Sequence, residues 1–202
     1  MLSESLLSKD QQDAITRLYE NNHTLMVAAT GVGKTAICQT AAKELFASGE
    51  VSRVIVAAPA KVIENNVWGD EANKWSHLNP SMVITLRGTA TQRAIMLAAT
   101  KTPGVIVVIS LNNLDWLLQQ DHGCDGIIVD ELSKAAGKQT AKLKSKKWGG
   151  CFKWRVGMTA TPVSQNFEKL YPMCRIIDGG AALGTSKQRY LEQHFYSDYM
   201  GY

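Results

Sequence analysis

Leu25-Met26-Val27-Ala28-Ala29-Thr30-Gly31-Val32-Gly33-Lys34-Thr35-Ala36-Ile37-Cys38-Gln39 is the stretch that decides the fold. The apolar run Leu25 to Ala29 reads as a buried strand, and Thr30 to Gly33 as a tight loop. From Ala36 to Leu45 the spacing is helical. Strand, glycine loop, Lys-Thr and helix, in that order, form a phosphate-binding loop. Backbone N–H groups of the loop and helix start converge on an anion, and glycines let the backbone come close. Thr30, Gly31, Val32, Gly33, Lys34 and Thr35 are therefore nucleotide-binding candidates. Lys34 would reach the β- and γ-phosphates, and the Thr35 hydroxyl would ligate Mg²⁺. The full pattern places glycine where this chain has Ala28. A small residue can serve there if its φ is negative.

Outward from this loop, the 202 residues suffice for one α/β domain with a sizeable core. Cys38, Cys124, Cys151 and Cys174 are scattered, with no Cys-x-x-Cys pair. That argues against a zinc site and fits reduced thiols in a cytoplasmic setting. No stretch is long and apolar enough to span a membrane, and the N-terminus lacks the layout of a signal peptide. The net charge of +4 is modest.

The pattern predicts a helix from Lys9 to Glu20 capped by Ser8, and a strand Arg53 to Ala58 ending at Pro59. A helix through Val62, Val67, Glu71 and Trp75 follows, with a break expected at Gly69. Strands are expected at Met82 to Leu86, Val105 to Ile109, Gly126 to Asp130 and Arg155 to Ala160. Helices are expected at Thr91 to Ala99 and Leu111 to Gln119. Apolar strands alternating with amphipathic helices imply a mostly parallel sheet with helices on both faces. Residues 1–178 read as one domain and 179–202 as a less regular tail.

Ile127-Ile128-Val129-Asp130-Glu131 delivers two carboxylates at a strand's C-terminal end, the edge where open α/β sheets bind ligands. Asp130 would hold Mg²⁺ through its shell, and Glu131 would orient and deprotonate the attacking water. Thr159-Ala160-Thr161-Pro162 follows another apolar strand. Alone it would be a turn closed by proline. Beside the acids, Thr159 and Thr161 could hydrogen-bond the Asp-Glu segment and sense the γ-phosphate.

With the phosphate loop, Asp-Glu and Thr-Ala-Thr-Pro in this order, the chain resembles the first RecA-like domain of a superfamily 2 helicase or translocase. The DEAD/DEAH-like pattern is nearest to the Swi/Snf-type branch with its phage and bacterial members. The resemblance spans Leu7 to Pro162 and, more weakly, Asp178 to Phe195. It implies a three-layer α/β/α fold, ATP and Mg²⁺ as cofactors, and nucleic acid as partner, DNA favoured over RNA. Gln11 matches the family's adenine-reading glutamine. Pro59, Trp68, Glu71 and Trp75 match its next motif. Val108 to Leu114 is similar to the strand-end segment that touches a nucleic-acid backbone, making Ser110 and Asn112, with Lys61, candidate contacts. No Asn-Lys-x-Asp guanine-reading segment is present. The family also has a second RecA-like domain supplying an arginine finger, and about forty residues follow Pro162, too few to form one. Such a domain is expected in cis or in trans. Alone, the chain is expected to bind ATP–Mg²⁺, hydrolyse it slowly and not translocate.

Between Lys134 and Arg155 lie eight basic residues and no acid, among them Lys142, Lys144, Lys146 and Lys147. This cluster suits phosphate contact. Trp148, Phe152 and Trp154 could stack on bases, or simply pack as core. His23, His77, His122 and His194 have no metal-ligand spacing. Two other function classes compete with a motor domain. One is a truncated non-catalytic module holding nucleic acid or a partner, with ATP as structural ligand; Glu131 argues against it. The other is a small-molecule kinase, in which Thr-Ala-Thr-Pro would have no role.

Overall fold

Alternation along the strands sorts apolar residues to two sides of one sheet. In β2 (Arg53–Ala58) every residue is buried. Ile55 and Ala57 join one cluster, Val54, Val56 and Ala58 the other. β4 (Val105–Ser110) repeats this, with Val105, Val107 and Ile109 on the first side and Ile106 and Val108 on the second. Strands with two buried faces belong in the middle of a sheet covered by helices. The computed structural model describes residues 1–135, 143, 150–162 and 167–195. The other strands are β1 (His23–Val27), β3 (Val83–Thr85), β5 (Gly126–Val129) and β6 (Trp154–Thr159). All pairings are parallel, in the order β1-β6-β5-β2-β4-β3.

On one face lie α1 (Lys9–Glu20) and α2 (Lys34–Ser48), which contribute Leu18, Ile37, Ala41 and Leu45 to the core. α3 (Ala60–Glu64) and α4 (Val67–Lys74) add Ile63 and Trp68 there. The opposite face takes Leu97 from α5 (Ala90–Ala99) and Leu114 and Leu117 from α6 (Leu114–Leu117). It also takes Leu132 from α7 (Leu132–Ala135) and Met173, Ile176 and Ile177 from α8 (Leu170–Asp178). The result is the three-layer α/β/α arrangement. A last helix, α9 (Lys187–His194), docks through Tyr190. Its ring stacks on Tyr171 at 5.3 Å, and its hydroxyl donates to the Phe167 carbonyl at 3.0 Å.

The elements differ from the sequence expectation at particular places. The helix expected through Gly69 breaks earlier, at Asn65 and Asn66. Asn66 takes a left-handed φ of 50° and restarts the chain as α4. Gly69 lies inside α4, where a Cβ would sit 2.6 Å from the Asn66 side chain, so its glycine reflects packing rather than a break. The helix expected from Leu111 to Gln119 is a 3₁₀ turn, Leu111–Asn113, followed by α6. Phe152 and Trp154 are core residues at 2 % and 0 % exposure, which removes them as stacking platforms. The Trp154 indole donates to the Leu18 carbonyl at 2.8 Å, clamping β6 to α1. Lys142, Lys144, Lys146, Lys147 and Trp148 lie outside the described residues.

Gly157, in the middle of β6, shows how tightly the second layer closes on the sheet. A Cβ there would meet Leu132 at 2.3 Å and Ile177 at 2.9 Å. Gly157→Ala should therefore destabilise the fold by about 2 kcal/mol, measurable by urea denaturation, despite the usual benefit of alanine over glycine in a strand.

Candidate nucleotide site

The order β1-β6-β5 brings three strand ends side by side. β1 leads into the phosphate loop, β6 ends on Thr159, and Asp130 follows β5. Val27 pairs with Thr159 and Val129 with Gly157, so the three ends lie nearly level. Ala28 N–H donates to the Thr159 carbonyl at 3.1 Å, extending that ladder into the loop.

Gly31 and Gly33 have φ of 84° and 86°, the left-handed region glycine reaches without penalty. Ala28 is not among the residues with positive φ, which is why alanine is tolerated where the pattern has glycine. α2 starts after Gly33 with no side-chain cap. Its first N–H groups are orphaned by helix geometry and available to an anion. Lys34 folds back over the loop, its Nζ donating to the carbonyls of Ala28 at 2.9 Å and Ala29 at 2.8 Å. Thr35 sits half-buried in the first turn of α2.

Gln11 is engaged at both ends of its amide. Oε1 accepts from Ser8 N–H at 2.9 Å in a capping box that starts α1, and Nε2 donates to the Val32 carbonyl at 3.0 Å. One residue thus joins α1 to the phosphate loop. A cleft of about 590 Å³ opens beside it, lined by Ser8, Asp10, Gln11, Ala14, Val27 and Val32 among others. That volume is in the range of small-ligand sites.

Asp130 is anchored by its N–H to the Ala57 carbonyl at 2.9 Å. Burial, and then the charge of Glu131, pushes its carboxyl above the ordinary range. The Glu131 backbone N–H, Lys34 and the Trp68 indole act against that rise. Glu131 has a left-handed φ of 52°, and its carbonyl accepts from Lys134 and Ala135 at 2.9 and 3.2 Å to start α7. Its carboxylate lies 3.3 Å from Lys134 Nζ. Thr159 Oγ1 donates to Ser133 Oγ at 2.8 Å and accepts from the Thr161 N–H at 3.2 Å. Ser133, the partner that joins the two motifs, does not stand out in the sequence. Its place two residues after Glu131 is the only signal it leaves there.

The structure brings Gln11, the loop residues, Lys34, Thr35, Asp130, Glu131, Thr159 and Thr161 to one edge of the sheet. Thr35 and Asp130 are the residues that could hold a cation, and their oxygens suit a hard ion such as Mg²⁺. Elsewhere among the described residues no group of histidine, cysteine or carboxylate side chains could hold a metal, and the four cysteines are free. Of the nucleic-acid candidates, Ser110 is enclosed and accepts from Asn113 Nδ2 at 2.8 Å, whereas Lys61 and Asn112 are exposed. No described helix is long and apolar enough to cross a membrane.

A six-stranded parallel sheet with this loop at its edge is the core of a P-loop nucleotide-binding protein. The chain belongs to the DEAD/DEAH box helicase family, whose pattern matches residues 8–170. It is 30 % identical over 192 residues to protein p41 of Acyrthosiphon pisum secondary endosymbiont phage 1, covering 90 % of this chain and 41 % of that protein. It is 27 % identical over 166 residues to the DNA excision repair protein ERCC-6-like of Danio rerio, covering 78 % of this chain and 11 % of that one. The chain thus spans less than half the length of either relative. Its fold is similar to the Sulfolobus solfataricus SWI2/SNF2 ATPase core, solved in complex with dsDNA. The TM-score is 0.68 at 17 % identity, over 92 % of this chain and 38 % of that one. The Pyrococcus furiosus Hef helicase domain gives 0.66 at 20 % identity, over 84 % and 36 %. The UvsW helicase of bacteriophage T4 gives 0.60 at 11 %, over 85 % and 58 %.

A carboxyl whose pKa is raised by the fold penalises folding once it is ionised. For Asp130 that cost is complete above its raised folded-state pKa and fades as pH falls toward the unfolded carboxyl's value of about 3.9. Asp130→Asn should therefore raise the thermal midpoint at pH 7 in EDTA by a few degrees, a gain that shrinks toward pH 4.

Proposed function

We propose that this chain is the ATP- and Mg²⁺-binding half of a nucleic-acid-dependent motor, a helicase or DNA translocase. Lys34 and the loop N–H groups bind the β- and γ-phosphates, and the cleft beside Gln11 takes the adenosine. Thr35 and Asp130 hold Mg²⁺, which neutralises charge on the phosphates. Glu131 orients and deprotonates the water that attacks the γ-phosphate in line. Thr159 and Thr161 pass the state of that phosphate to α7 through Ser133. A second RecA-like domain, in cis or in trans, completes the site with an arginine finger. DNA runs over the strand-end surface bearing Lys61 and Asn112 and the basic segment with Lys142, Lys144, Lys146 and Lys147. The setting is the cytoplasm of a bacterial or phage-infected cell.

The adjacency of the phosphate loop, Asp130–Glu131 and Thr159 on neighbouring strand ends carries this reading. Glu131 favours hydrolysis over mere binding, since a structural nucleotide site has no use for a base there. DNA is preferred because the dsDNA-bound SWI2/SNF2 core is among the structural neighbours.

Steady-state ATP hydrolysis with and without duplex DNA, single-stranded DNA and RNA tests it. Turnover should be stimulated most by DNA and fall by about 10²-fold or more in Glu131→Gln. Lys34→Ala should lose ATP affinity; unchanged affinity there would sink the assignment. Neutralising Lys144, Lys146 and Lys147 should flatten the salt dependence of DNA binding, by about one unit of log–log slope for each of these lysines that meets a phosphate.

A further inference from the structure

Trp68 is one of several enclosed side chains of the described chain that leave a polar atom unpaired, Gln39 and Arg53 among the others. The Trp68 side chain is 1 % exposed, and its indole N–H has no acceptor within hydrogen-bonding geometry among the described residues. A buried donor left unpaired forfeits its hydration without return, so each such group calls for an explanation. The carboxylate it faces is that of Asp130, whose ionised form it favours.

The backbone that carries Trp68 is held from several sides. α4 begins after the left-handed Asn66, whose Oδ1 accepts from Arg87 Nη2 at 3.2 Å and whose Nδ2 donates to Asp70 at 2.8 Å. Gly69 leaves the space that the Asn66 amide fills. From α2, the helix that carries Lys34 and Thr35, Gln39 Nε2 donates to the Trp68 carbonyl at 2.6 Å. Trp68 is thus tied by its backbone to the phosphate-loop helix and turns its ring to the acid after β5.

We propose that Trp68 is a positioning residue: its indole N–H donates to one oxygen of the Asp130 carboxylate and leaves the other for the cation shell it shares with Thr35. This rests on the reading of Asp130 and Thr35 as the Mg²⁺ side of the site. A ring that only filled core could be exchanged for phenylalanine at a cost in packing alone. A donor to a metal-holding carboxylate could not, because partners behind the ligands set their orientation and basicity.

The test is Mn²⁺ affinity, read by electron paramagnetic resonance on the full chain with a non-hydrolysable ATP analogue. Trp68→Phe should weaken Mn²⁺ binding on the order of tenfold and add little to the loss in Asp130→Asn. Binding of the analogue in EDTA should be unchanged. Wild-type Mn²⁺ affinity in Trp68→Phe, with Asp130→Asn weakened, overturns the positioning role and leaves the metal reading standing. Unaltered affinity in Asp130→Asn removes the metal reading and this proposal together. Should Trp68→Phe fail to fold, the wild-type chain decides through its ¹H–¹⁵N spectrum. The Trp68 indole proton should move downfield on adding Mg²⁺ and the analogue, and not in Asp130→Asn. A resonance that stays in place in the wild-type chain overturns the proposal.

Discussion

A parallel sheet delivers the carboxyl end of every strand to the same edge, and the rest of this structure depends on that constraint. The loops that leave β1, β5 and β6 could not otherwise meet, since helices and other strands separate them in the sequence. The order β1-β6-β5 then makes them neighbours. Chemistry-bearing residues need only follow the strand ends, while the strands themselves stay apolar. Buried strands such as β2 and β4 fix the level of the edge because both their faces are packed.

At that edge the polar groups satisfy one another. Lys34 closes the loop onto two carbonyls, and Glu131 pairs with Lys134. Neither arrangement is a deep trap. Lys134 is 74 % exposed, and an ion pair so placed contributes about 1 kcal/mol at most. A left-handed residue other than glycine costs about 1 kcal/mol, and at Glu131 this is offset by two N–H groups on its carbonyl at the start of α7. The site is held firmly in its backbone and loosely in its charged side chains.

Much of this was legible in the sequence because it lay in local patterns. The run before Gly31, the Ser8 cap and the acids after an apolar strand each carry their signal within a few residues. What stayed hidden depends on contacts between distant segments. Phe152 and Trp154 sit among lysines in the sequence, and only the pairing of β6 with β1 and β5 buries them. The break at Asn66 rather than Gly69 turns on Arg87, from after β3, gripping the Asn66 amide. Ser133 gains meaning only from Thr159, and Trp68, though its motif match was legible, gains its partner Asp130 only in the fold. Strand order, too, cannot be read from apolar runs that look alike.

The position of β1 at the sheet edge has a consequence for how the protein comes into being. Its sole ladder partner among the described strands is β6, with Thr24 beside Val156 and Val27 beside Thr159. On the ribosome the strand that precedes the phosphate loop is made before the other described strands, yet its hydrogen-bonding mate emerges only after the rest of them have been synthesised. At ordinary elongation rates of about 5–20 residues per second, that leaves an apolar strand unsheltered for several seconds. Closing so distant a pair is also intrinsically slow. The nucleotide-binding end of the domain thus cannot be completed before β6 arrives, and until then a nascent chain is open to chaperones.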